Sequence, residues 1–139
     1  MSIDDIAHPG VRDAFAAFPP GAQPGLLRLR HLILDTAALR PEVGRIEETL
    51  RWGQPSYLTP ETKSGTTLRL GVPRTGGFAL YAHCQTSVIA EAQEMFPGTF
   101  IVEGTRALLF DDPEALPEEP LRIVIGRALT YHLKEVARA

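Results

Sequence analysis

Two neighbouring stretches decide the fold, Thr66-Thr67-Leu68-Arg69-Leu70-Gly71-Val72 and Phe78-Ala79-Leu80-Tyr81-Ala82-His83. In the first stretch, every second residue is apolar or β-branched, which is typical of a half-buried strand. The five residues between the stretches, Pro73-Arg74-Thr75-Gly76-Gly77, are typical of a turn. The sequence therefore predicts an antiparallel hairpin with Leu68 and Leu70 on one face and Arg69 on the other.

Helical and strand-like patterns surround this hairpin. Apolar residues three and four positions apart predict helices over 9–18, 24–39, 87–95 and 120–137. Shorter extended stretches predict strands over 45–52, 54–57, 99–103 and 106–110. Because hairpin-like connections predominate, we expect an α+β fold in which helices pack on one face of an antiparallel sheet.

Length and composition restrict the class of protein. The 139 residues are enough for a single domain, 1–139, and the net charge of −3 argues against a nucleic-acid partner. A single cysteine excludes an intramolecular disulfide framework and a four-cysteine zinc site. No apolar run reaches the roughly 18 residues of a membrane span, and the acidic N-terminus lacks the pattern of a signal peptide. We therefore expect a cytoplasmic protein with no membrane partner.

Several short motifs carry a family resemblance. They are Trp52-Gly53-Gln54-Pro55-Ser56-Tyr57, Lys63 to Leu70, Leu80 to Ser87, Phe96-Pro97 and Glu103 to Leu108. In this order and spacing they resemble the YdhG-like domain-of-unknown-function family (family eighteen-oh-one), which has a Gly-x-Pro-x-aromatic turn after its first strand. The resemblance covers residues 10–136. It implies a compact α+β domain, and some relatives carry an iron-chaperone label.

The polar and aromatic residues at the ends of these elements predict a ligand site. We expect a non-enzymatic binding protein for a small anionic molecule, with no cofactor. Trp52 and Tyr57 would stack on the ligand, because both present flat apolar faces. Cationic side chains would neutralise it and an amide would orient it. The expected site residues are Trp52, Gln54, Tyr57, Lys63, Arg69, His83, Cys84, Gln85, Glu103 and Arg106.

Each of these motifs also has a purely structural interpretation. The segment from Trp52 to Tyr57 could be a corner that plugs the core. Arg69 could be a solvated charge paired with Glu47 across the sheet. Cys84 could be a small buried apolar residue, since free cysteines usually are.

Glu103 and Arg106 could form only a surface ion pair beside a hairpin turn, the structural interpretation of that motif. Two other functions also stay open. The first is metal or iron handling by His83, Cys84, Glu103 or the acidic loop 111–120, although no residue is assigned as a metal ligand. The second is an enzyme with Cys84 as nucleophile. A homodimer through a sheet edge or a helix face is a further possibility.

Overall fold

The computed structural model of the chain describes residues 2–133. Its helices are α1 (Pro9–Ala17), α2 (Gln23–Ala38), α3 (Val88–Met95) and α4 (Glu118–Leu129). Its strands are β1 (Glu47–Arg51), β2 (Gln54–Leu58), β3 (Leu68–Gly71), β4 (Phe78–Ala82), β5 (Ile101–Glu103) and β6 (Ala107–Phe110). None of the helices within residues 2–133 is both long and apolar enough to span a membrane.

The six strands form one antiparallel sheet in the order β1-β2-β3-β4-β6-β5. The predicted hairpin is its centre, where Leu70 of β3 lies opposite Leu80 of β4, and Leu80 lies opposite Leu108 of β6. The predicted α+β fold with an antiparallel sheet is confirmed.

One helix differs from its prediction. The apolar spacing predicts one helix over 120–137, but α4 begins at Glu118 and ends at Leu129, and after a turn at Thr130 the chain is helical again over 131–133. At its end, the Thr130 hydroxyl donates a hydrogen bond to the Gly126 carbonyl, and Thr130 leaves the helical conformation with φ −120°. The predicted positions 134–137 lie outside the described residues.

The helices cover one face of the sheet. Leu68, Leu70, Leu80 and Leu108 share a single apolar core with buried side chains of α1, α2, α3 and α4. On the opposite face, the buried residues Ala79, Tyr81 and Ala107 form a small cluster of their own. No helix residue of the described chain belongs to that cluster. This face is therefore free of helices.

A buried charged group joins α2 to the first two strands. The Arg30 guanidinium makes two hydrogen bonds to the Glu48 carboxylate, of 2.5 and 2.9 Å, and the Tyr57 hydroxyl donates to Glu48 Oε2 over 2.7 Å. Burial, followed by the nearby Glu48 carboxylate, raises the pKa of Tyr57 well above its ordinary value. These hydrogen bonds satisfy polar atoms whose burial beneath the helices would otherwise destabilise the fold.

The close approach of α2 to the sheet at Gly25 can be tested by Gly25→Ala. An added Cβ would lie 2.2 Å from Cζ and 2.5 Å from Cε1 of the buried Phe78 ring. Overpacking costs about 1–3 kcal/mol, and the better helix propensity of alanine offsets up to about 1 kcal/mol. We expect urea denaturation to show a net loss of about 1 kcal/mol or more.

Two matched variants check the cause of that loss. Gly21→Ala adds the same methyl group in open space, so it should leave the free energy of unfolding nearly unchanged. In a Phe78→Leu background the Gly25→Ala loss should shrink, because the clashing ring is gone. An equal loss in both backgrounds would contradict the predicted clash.

The raised pKa of Tyr57 predicts a loss of stability in alkali. The unfolded chain releases this phenolic proton near pH 10, whereas the folded chain retains it to higher pH. Stability is therefore fully present below pH 10 and falls above it, by at most about 1.4 kcal/mol per pH unit for this group. Urea denaturation between pH 9 and 11.5 should show a shallower decline for Tyr57→Phe than for the wild type. Parallel declines would show that Tyr57 does not contribute.

Candidate functional site

The helix-free face of the sheet carries a cavity of about 570 Å³. It lies over β2 and β3, between the β1–β2 turn at one end and the residues after β4 at the other. The lining residues are Arg51, Trp52, Leu58, Thr67, Arg69, His83, Cys84 and Arg106. Three of them are arginines, and no carboxylate from residues 2–133 is among them.

Arg69 forms the floor of this cavity and is held on three sides. Its Nη1 donates to Gln54 Oε1 over 2.8 Å, and its guanidinium lies 5.0 Å from the Trp52 ring centre and 5.7 Å from that of Tyr81. Gly71 makes room for this arrangement. A Cβ there would lie 2.5 Å from Gln54 Nε2 and 3.2 Å from Tyr81 Cε2.

Arg69 has no negative partner in the part of the chain that the structure describes. The alternative in which Arg69 pairs with Glu47 is wrong, because Glu47 lies opposite Leu58 and Arg69 lies opposite Ser56 and Tyr81. Burial, followed by the charge of Arg106, lowers the pKa of Arg69. The guanidinium nevertheless stays charged at neutral pH. It is therefore a half-buried cation that lacks a counter-ion.

Trp52 stands at the exposed tip of the β1–β2 turn. Its φ is 53° and that of Gly53 is 74°, as in the type I′ turns that join two-residue hairpins. The residue is 83% exposed. Trp52 therefore does not plug the core, and the structural interpretation of this residue is wrong.

Arg106 reaches the cavity from the β5–β6 turn. The Thr105 hydroxyl donates to the Cys84 carbonyl over 2.8 Å, which ties this turn to the segment after β4. The Arg106 guanidinium lies 5.8 Å from the Tyr81 ring centre. Its nearest carboxylate is Glu103, 4.0 Å away, and both of these side chains are at least half exposed. Such a pair leaves most of the arginine's charge available.

His83 and Cys84 both line the cavity, although neighbouring residues within a strand would point to opposite faces. The reason is that β4 ends at Ala82. His83 Nδ1 accepts a hydrogen bond from the Gln85 backbone N–H over 3.1 Å. Cys84 is exposed, so its interpretation as a buried apolar residue is wrong.

Five expected site residues do not line the cavity. Gln54 is hydrogen-bonded to Arg69 and Glu103 lies beside Arg106, but neither is itself a lining residue. Tyr57 is fully buried on the helix-covered face, where it contacts Glu48. Lys63 is exposed in the β2–β3 loop, which is held against the end of α4 by a hydrogen bond from Ser64 Oγ to the Leu129 carbonyl. Gln85 is exposed and contributes only its backbone N–H to His83.

Four further residues around the cavity are not among those expected from the sequence. Arg51, Leu58 and Thr67 line the cavity, and Tyr81 lies beneath the two arginines 69 and 106. The alternation within β4 contains the signal for one of them. Tyr81 lies between Leu80 and Ala82, which both belong to the core, so its side chain points to the helix-free face.

A larger cavity of about 760 Å³ lies at the start of α2 and offers less for a charged ligand. Its Arg28 is already paired with Glu118 through two hydrogen bonds of 2.6 Å. Its Asp5 accepts a hydrogen bond from the Ser2 backbone over 2.9 Å. Arg28 and Asp5 are therefore already engaged by the protein itself.

Within residues 2–133, no three His, Cys, Asp or Glu side chains lie close enough together to hold a metal ion. Comparisons of the chain with protein-family models, with curated proteins and with solved structures found no match.

The exposed position of Trp52 predicts that its removal costs little stability. Trp52→Asn replaces a bulky residue at positive φ with one that tolerates it, while a cation–π contact of about 0.5–1 kcal/mol is lost. We expect urea denaturation to give a free energy of unfolding within about 1 kcal/mol of the wild type. A loss of about 3 kcal/mol, typical of a removed core aromatic ring, would contradict this account.

Proposed function

We propose that this protein is a non-enzymatic binding protein for a small anionic molecule, which it takes in the cavity on the helix-free face of the sheet. The observation that carries the proposal is the half-buried Arg69 guanidinium without a counter-ion. Partial removal of a charge from water is unfavourable unless an opposite charge is supplied. An anionic ligand would supply it.

The other residues that line the cavity also favour a negatively charged ligand. Arg51 and Arg106 add two further cations to the same cavity. A concave surface lined by charges of one sign concentrates ions of the opposite sign. Gln54 would keep the Arg69 fork in place, and Trp52 would cover the ligand with its ring. Tyr57, Lys63 and Gln85 have no part in this proposal.

Membership of a family and formation of a homodimer are separate proposals. Membership of the YdhG-like family rests on the order of the short motifs between residues 10 and 136. A homodimer would need a surface such as the edge strand β5, where Ile101 is 70% exposed.

The alternative functions have less support. Iron handling would need a cluster of ligands, and His83 and Cys84 have no third ligand beside them in the described chain. An enzyme with Cys84 as nucleophile would need a base. His83 makes no hydrogen bond to the Cys84 thiol, and its Nδ1 is engaged by the backbone of Gln85.

Binding can be followed through Trp52, the only tryptophan of the chain. We expect inorganic phosphate or succinate to change its fluorescence in a saturable way. Arg69→Gln should weaken this binding about tenfold or more, since a charge-assisted hydrogen bond is worth roughly 1.5–3 kcal/mol. Added salt should also weaken it.

Arg74→Gln provides the matched control. It removes the same charge from the exposed β3–β4 turn, outside the cavity. Its affinity should equal that of the wild type. The proposal fails if neither anion gives a saturable signal or a rise in melting temperature, or if Arg74→Gln weakens binding as much as Arg69→Gln does.

A further inference from the structure

We infer that the anion taken by this cavity is a phosphate monoester carried on a flat, unsaturated ring. Its phosphate would bind Arg69, Arg106 and Tyr81, and its ring would stack on Trp52. This inference rests on the proposed function and names the chemical class of the ligand.

The charge of the cavity favours a dianion over a monoanion. Three arginines line it, and no carboxylate from residues 2–133 lies among them. Glu103 offsets Arg106 only in part, at 4.0 Å and in solvent. At neutral pH a phosphate monoester carries a charge of about −1.5 to −2, whereas a single carboxylate carries −1. The monoester therefore matches the site more closely.

The hydrogen-bond donors favour a group with three acceptor oxygens. The Arg69 and Arg106 guanidiniums lie over the same Tyr81 ring, at 5.7 and 5.8 Å from its centre. Arg69 uses one donor on Gln54, and its others have no acceptor in the described chain. One arginine fork occupies both oxygens of a carboxylate, whereas a phosphate has a third oxygen for a second partner.

Tyr81 adds an independent observation. The residue is only 5% exposed, yet its hydroxyl has no hydrogen-bond partner among residues 2–133. Burial raises its pKa, so the hydroxyl stays protonated and able to donate. Among residues 2–133 only Thr36 Oγ1 is both fully buried and without a hydrogen-bond partner, so the Tyr81 hydroxyl is accessible to solvent and lacks a protein acceptor beside the two arginines. A phosphate oxygen would supply that acceptor.

The flat ring follows from Trp52 and from the size of the cavity. One face of the indole lies over Arg69 at 5.0 Å, and the residue is 83% exposed, which leaves the other face free. Aromatic rings stack on such faces without needing hydrogen bonds. A cavity of about 570 Å³ is in the usual range for a ligand with both a ring and a phosphate.

Calorimetry with four related probes tests this inference. The probes are adenosine 5′-monophosphate, its monoanionic 5′-methyl phosphate ester, ribose 5-phosphate and adenosine. We expect the monophosphate to bind about tenfold or more tightly than its methyl ester, and adenosine to give no measurable binding. Ribose 5-phosphate should bind more weakly than adenosine 5′-monophosphate, because it lacks the flat, unsaturated ring.

Variants separate the phosphate from the ring. Trp52→Ala should weaken binding of adenosine 5′-monophosphate about fivefold or more and weaken ribose 5-phosphate much less, since only the former loses a stacking partner. Tyr81→Phe, which keeps the ring and removes the hydroxyl, should weaken both phosphates about fivefold or more. Arg74→Gln should change neither. Equal loss of both ligands in Trp52→Ala, or no loss in Tyr81→Phe, would overturn the assigned contacts.

The outcomes also distinguish this inference from the proposed function. If succinate and the methyl ester bind as tightly as adenosine 5′-monophosphate, the cavity binds anions but the phosphate monoester is the wrong class. If inorganic phosphate, succinate and all four probes fail to bind, both the inference and the proposed function are wrong.

Discussion

The alternation of side chains along β3 is the constraint on which the candidate site depends. Leu68 and Leu70 lie in the helix-covered core, so Arg69 between them must point to the opposite face. A slip of one residue in strand pairing would bury the guanidinium beneath the helices and expose both leucines. The pairing of Leu70 with Leu80 therefore fixes the site as firmly as it fixes the core.

The helix-free face is organised by close polar and aromatic contacts. Gly71 has no side chain, which lets the Gln54 amide and the Tyr81 ring lie over the backbone beside Arg69. Trp52 occupies a turn position that suits asparagine or glycine better. In this backbone conformation its ring stands over the Arg69 guanidinium. Gly71 and Trp52 are therefore both unfavourable for local stability, and both shape the cavity.

Local patterns predict most of the fold but only part of the site. Alternation and helical spacing predict the hairpin and the four helices, whereas the end of α4 depends on Thr130, which the apolar spacing does not reveal. The position of Arg69 on the helix-free face follows from its neighbours in β3. Tyr57 lies outside the cavity because its face depends on its pairing with Leu68, a contact between strands that no local pattern contains. Lys63 lies outside the cavity because its loop is held against a distant helix.

The chain's single cysteine has a consequence for how molecules of this protein meet. Cys84 is exposed at the margin of the cavity, and it has no second thiol in the chain to pair with. Air oxidation to a disulfide can therefore join only two separate copies. Such a covalent pair would bring the margins of two cavities together, so each copy would obstruct the entrance of the other.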